Sequence, residues 1–282
     1  MKKSIILSCV LAVALVGTLF SLPKVVVNNK GKEVESEKAA GKTASAKEAA
    51  PTEPSANSHD GATLSPEQQK VVDQLRSGFN QAEQKDKFAA GLKLSNKFGE
   101  LQKFDSAALY AEKIAVMMPS AENLLRAGDR YYEAYGFAVD DQKAKDLGTK
   151  TREYYQKAIE LNPGLLAAKA NMAMTYVNTE NPMQGILMLR EVLDTDPTNE
   201  LALFNLGILS MRSNQYSKAA DRFKQILTNN PANTKAKFYL GLTLVELGNK
   251  EEARKILAQV KKEEKDPVIQ QAIGELEERL NN

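Results

Sequence analysis

The chain of 282 residues has no tryptophan, one histidine (His59) and one cysteine (Cys9). A single cysteine excludes an intramolecular disulfide and leaves the redox compartment unread. His59 has no cysteine, histidine or acidic ligand set around it, so a zinc-type site is excluded there. Asp140 and Asp141 lack the ligand spacing and turn glycine of a calcium loop. No His–carboxylate or Cys–His pairing, GxGxxG or phosphate-binding loop occurs. The span from Gly241 to Gly248 lacks the lysine that such a loop needs. The reading is therefore a protein that is not an enzyme and needs no metal or other cofactor. Charge of one sign is also scarce: Lys+Arg 38 against Asp+Glu 36 leaves +2. That balance gives no basic excess for nucleic acid and no acidic solvating tail.

What is present begins with a hydrophobic run. Met1-Lys2-Lys3 (a 1–3 n-region) precedes an apolar stretch over 4–22, closed by Pro23 and Lys24. Nineteen residues at ~1.5 Å each span ~28 Å, close to the ~30 Å hydrocarbon core of a bilayer. The pattern is that of a bacterial export signal, and the absence of a good small-x-small cleavage site favours an uncleaved transmembrane anchor over a removed signal peptide. Ile6-Leu7-Ser8-Cys9 has the look of a lipid-attachment site, but the apolar run continues well past Cys9. Lys2 and Lys3 are expected to stay in the cytoplasm. The soluble part then faces the periplasm from the inner membrane; secretion to the periplasm after cleavage is the alternative.

Residues 23–64 form a linker. After Val25–Val27 there is no apolar periodicity, and Ala, Ser, Thr, Pro, Glu and Lys dominate. Such a segment buries too little surface to offset its backbone entropy and is expected to be disordered. As a flexible coil of about 40 residues it would span ~35 Å.

From residue 65 the sequence turns helical. Ser65-Pro66-Glu67-Gln68 carries a capping box with proline in the first turn. Val72, Leu75 and Phe79 then make one apolar stripe, predicting a lead helix over 66–83. Farther on, Pro163, Pro197 and Pro231 fall 34 residues apart. Within 200–233, Leu203, Leu206, Gly207, Tyr216, Ala219, Phe223 and Pro231 follow a helix–turn–helix repeat, with Leu203 where Trp is usual and Ser210 where Tyr is usual. On these residues the chain resembles a bacterial tetratricopeptide repeat (TPR) protein.

The resemblance implies an all-α fold, a superhelical solenoid of antiparallel helix pairs over 65–282. Its repeats fall at about 88–121, 121–165, 166–199, 200–233 and 234–267, followed by a C-terminal capping helix over 268–280. Asn181 and Asn249 are expected to cap helices. The second repeat carries about ten extra residues near 132–150, and its first helix is expected to run on for two or three turns before Gly148.

In arrays of this family the first helix of each pair lines a concave groove. The resemblance places Met174, Val177, Leu201, Phe204, Ile208, Met211, Arg212, Lys235, Phe238, Leu242 and Val245 there. These residues are mostly apolar while the solenoid core is supplied by another helical phase, so the groove suits an amphipathic helix or an unfolded hydrophobic segment of a protein partner. Two internal competitors stand against an open groove: the C-terminal helix, which could cover Phe238 and Leu242, and packing between neighbouring first helices. The implied function is a membrane-tethered interaction scaffold or assembly factor. Two alternatives remain: an adaptor for exported proteins, as in cytochrome c maturation or beside the translocon, and a structural module that self-associates through 132–150.

Overall fold

The computed structural model describes residues 63–281, and among them the regular elements are twelve helices. They are α1 (Pro66–Gln81), α2 (Gln84–Glu100), α3 (Phe104–Met117), α4 (Ala121–Gly136), α5 (Asp141–Leu161) and α6 (Leu166–Tyr176). The rest are α7 (Pro182–Thr195), α8 (Glu200–Arg212), α9 (Tyr216–Asn229), α10 (Thr234–Glu246), α11 (Lys250–Glu263) and α12 (Pro267–Asn281). The apolar span 4–22 and nearly all of the 23–64 linker lie outside the described residues. Among those described, no helix is long and apolar enough to cross a membrane.

Each helix packs on the next, and α2/α3, α4/α5, α6/α7, α8/α9 and α10/α11 form antiparallel pairs. First helices also meet across repeats, α4 with α6, α6 with α8 and α10 with α12, whereas second helices make no comparable contact. The first helices therefore line the tighter side of a helical solenoid.

Small residues decide how closely a pair approaches. A Cβ added at Gly128 would lie 2.5 Å from the Tyr155 ring, at Gly207 2.7 Å from Phe223, and at Gly241 2.6 Å from Leu257. In the first pair Ser95 takes this place and its hydroxyl donates to the Ala107 carbonyl at 2.8 Å. The third pair reverses the arrangement: Ala173 is on the first helix, and Gly185 on the second receives its carbonyl oxygen.

Both ends are covered. Ser65 accepts from the Gln68 N–H at 3.2 Å, and Gln68 accepts from the Ser65 N–H at 2.9 Å, closing the capping box of α1. α1 buries Val72 and Phe79 with Leu94, Phe98 and Tyr110. At the other end α12 buries Ile273, Leu276 and Leu280 with Leu244, Leu257 and Val260. Ion pairs of 2.7 Å from Arg279 to Glu246 and from Lys261 to Glu277 fix its position.

Two local expectations fail. Most of the extra residues of the second repeat lengthen its second helix, 21 residues against 14 in α7, α9 and α11, rather than its first. α4 stops at Gly136, Phe137 folds back to stack on Phe104 at 4.3 Å, and Asp140 caps a new helix by accepting the Lys143 N–H at 2.8 Å. Capping thus overrides the apolar pattern, and Gly148 lies inside α5. Asn181 and Asn249 stand at N-caps but accept no backbone N–H, unlike Asn199 and Asn233, whose side chains accept from Ala202 and Ala236. Their ψ angles, 53° and 65° against 103° and 89°, aim the side chain elsewhere.

The first two repeats are locked by a buried carboxylate. Glu112 on α3 is 6% exposed. It accepts from the hydroxyls of Tyr131 on α4 and Tyr154 on α5 and from the Lys150 ammonium. Burial pushes its carboxyl up, but these three donors outweigh it and hold it below the ordinary glutamate range. Its charged form is therefore favoured by folding. That contribution is complete above the unfolded value of about 4.3 and is lost as pH falls through the lower folded value.

This packing can be tested by substitution. Gly185→Ala is expected to cost about 3 kcal/mol because the obstacle is backbone, whereas Gly274→Ala, with open space around it, is expected to gain about 0.5–1 kcal/mol. Urea unfolding of both variants measures the contrast. Glu112→Gln is expected to cost about 1–3 kcal/mol at neutral pH. The deficit should shrink below pH ~4 as the wild-type carboxyl becomes neutral, which stability measured against pH will show.

Candidate partner-binding face

The exposed side of the first helices α6, α8 and α10 is the candidate site. Leu201, Phe204 and Ile208 stand on one side of α8 because they are three and four residues apart. Phe238, Leu242 and Val245 repeat the pattern on α10. All six are half-buried, so each keeps part of its surface open to solvent. Met174 and Val177, at the end of α6, are half-buried too.

The structure divides these positions. Met174 and Leu201 pack against the cluster around Leu189 and Leu206. Phe204, Ile208, Phe238, Leu242 and Val245 pack against the larger cluster around Phe223 and Leu240. Met211 is 7% exposed and sits inside that larger cluster, so it supplies core rather than surface. Arg212 is exposed and reaches the Asn178 amide oxygen at 3.4 Å.

An aromatic group centres the face. Phe204 meets Tyr239 edge-on at 5.1 Å and Phe223 at 5.7 Å, and Phe238 meets Tyr239 edge-on at 5.5 Å. The Lys235 ammonium lies 4.2 Å from the centre of the Phe204 ring. Partial loss of water pushes that amine below the ordinary lysine value, and burial pushes the Tyr239 phenol up. Lys235 makes no ion pair among the described residues, and its ammonium is held only over the Phe204 ring.

Toward the second repeat the same side becomes polar. Asp129 accepts from the Tyr155 hydroxyl at 2.8 Å, and Tyr155 in turn accepts from the Asn171 amide at 3.4 Å. Burial raises the Asp129 carboxyl, opposed by the Tyr155 hydrogen bond. The sequence pattern does not bring these groups together, nor does it mark Tyr239 as part of the face. The signal for Tyr239 was its place beside Phe238, one step off the groove phase; its ring lies between α8 and α10, which only packing reveals. The arrangement offers an apolar, aromatic surface with a cation on it.

A comparison with curated proteins finds no match. A family model described as tetratricopeptide repeat matches residues 210–276. Among solved structures, a tetratricopeptide repeat protein from Parabacteroides merdae ATCC 43184 is similar with a TM-score of 0.56 at 14% identity, over 76% of this chain and 82% of that one. TTC0263, a thermophilic TPR protein in Thermus thermophilus, gives a TM-score of 0.52 at 16% identity, over 67% of this chain and 98% of that one. At such identities the likeness speaks for fold alone. Residues 210–276 are thus a tetratricopeptide-repeat segment by sequence, and the described chain as a whole has the tetratricopeptide-repeat fold.

Proposed function

We propose that this protein is a non-enzymatic interaction scaffold that holds a helical or extended segment of a partner protein on the α6–α8–α10 face. The observation that carries the reading is the half-open row Leu201, Phe204, Ile208, Phe238, Leu242 and Val245, with the unpaired Lys235 above Phe204. A row of large apolar side chains that stays partly wet gains free energy when a partner excludes that water. Aromatic anchors at its centre are the type of residue that dominates binding. The reading includes a tether: residues 4–22 anchor the chain in a bacterial inner membrane, and the 23–64 linker holds the solenoid on the periplasmic side, concentrating it near the bilayer. A role as an assembly factor or an adaptor for exported chains is the cellular form of this mechanism.

A second reading, self-association, is favoured by one observation. The α4–α5 loop presents Phe137 and Val139, 53% and 59% exposed, on the part of the chain that departs from the 34-residue period. Light scattering on the full chain distinguishes the two, because a partner-binding scaffold needs no second copy.

Phe204→Glu is expected to weaken capture of a crosslinked partner about 30-fold, the equivalent of ~2 kcal/mol for a central anchor. Helical content and melting are measured in parallel. Equal recovery of the partner by a folded Phe204→Glu variant and the wild type would exclude this face.

A further inference from the structure

A second site lies away from this face, where α7, α8 and α9 meet. The eleventh residue of the repeat is Phe98 in the first, Tyr131 in the second, Tyr176 in the third, Ser210 in the fourth and Leu244 in the fifth. Where the second and third repeats carry a phenol ring, the fourth has a hydroxymethyl group. A cavity of about 80 Å³ stands at that place, with room for several water molecules.

The polar lining of this cavity is Arg190, Arg222, Lys218, Ser210, Ser213 and Gln215; the remaining walls are aliphatic. Among the described residues no carboxylate lines it. Arg222 donates to the Ser210 hydroxyl and to the Leu206 carbonyl, and Lys218 donates to the neutral Gln215 amide at 2.7 Å. Arg190 has neither a hydrogen bond nor an ion pair among the described residues. Burial and the charge of Arg190 together push the Arg222 guanidinium down, and Asp221 opposes them. On the adjoining helices Lys169 is paired with Glu191 and Lys224 with Glu252. Here three cations share one hollow whose only acceptors are neutral.

Like charges held this close repel unless an anion lies between them. A guanidinium presents a planar fork of donors that matches the oxygens of a phosphate or sulfate group. The Ser210 hydroxyl accepts from Arg222, which leaves its own proton to donate. We propose that the cavity binds a tetrahedral oxyanion of the phosphate class, held by Arg190 and Arg222 with Ser210 and Lys218 completing its shell. The ion comes free from solution or as the phosphomonoester of a partner side chain. Arg190 and Lys218 are exposed, so the site is reached from solvent. The proposal does not depend on the partner-binding face, which involves other residues.

The test is calorimetric titration of the full chain with inorganic phosphate at constant ionic strength, repeated with O-phosphoserine, alongside melting curves. Saturable phosphate binding is expected, with a melting rise of about 3–6 °C at ten times Kd. Arg190→Gln, at a position without a hydrogen bond or ion pair among the described residues, should fold normally and lose at least ten-fold in affinity. Ser210→Tyr supplies the ring found in the second and third repeats and should abolish binding while the phosphate-free melting temperature holds or rises. Binding of O-phosphoserine as tight as that of phosphate supports the site and assigns it to a partner's phosphomonoester; binding of phosphate alone supports it and assigns it to the free ion. The proposal fails if no saturable binding occurs at constant ionic strength, or if Arg190→Gln binds phosphate as the wild type does.

Discussion

The close approach of paired helices at small residues is the constraint on which the rest of the structure depends. Gly128, Gly207 and Gly241 each leave no room for a side-chain carbon because Tyr155, Phe223 and Leu257 already occupy it. These large residues are fully buried, and each Phe- or Leu-sized side chain contributes about 1.5–3 kcal/mol when removed from water. Moving the helices apart would expose that surface along the whole pair. The third repeat meets the same requirement in mirror fashion, with Gly185 taking the Ala173 carbonyl. The constraint fixes a distance between two helices rather than a residue at one position.

Once the pairs are fixed, the architecture is nearly one-dimensional, each repeat touching its neighbours and the two ends needing covers. α1 and α12 supply the covers. Variation is then tolerated where it leaves the inter-helix distance unchanged. One such place is the tighter side of α8 and α10, where aromatic and aliphatic residues exceed what the core uses. Another is the eleventh position of the repeat, where Tyr131 reaches Glu112 in the second repeat and Ser210 leaves a hollow among arginines in the fourth. The same framework thus carries a hydrogen-bonded lock at one junction and a cationic cavity at another.

Much of this was legible in the residues. The proline spacing, the glycine and alanine phase and the Ser65 capping box are local or periodic features, and a helix pair of fixed length reads them directly. The shared side of Leu201, Phe204 and Ile208 on α8 was legible for the same reason, since three- and four-residue spacing sets it whatever surrounds the helix. Met211 was not, because its exposure depends on how α10 crosses α8. The second-repeat insertion misled since Tyr135, Phe137 and Ala138 extend the apolar pattern of α4, yet Gly136 and the Asp140 cap end that helix and begin another.

The sequence by itself determined the helical repeat, its phase and its covered ends, since these rest on spacing and on residue size within about 34 positions. Only the tertiary structure decided which charges stand together. Glu112 meets Lys150 from 38 residues away and Tyr154 from 42. Arg190 and Arg222 come to one cavity from successive repeats, and Lys235 lies over Phe204 from the neighbouring first helix. Electrostatic partners are set by distance in space, and a solenoid brings together residues one repeat apart that no local pattern connects.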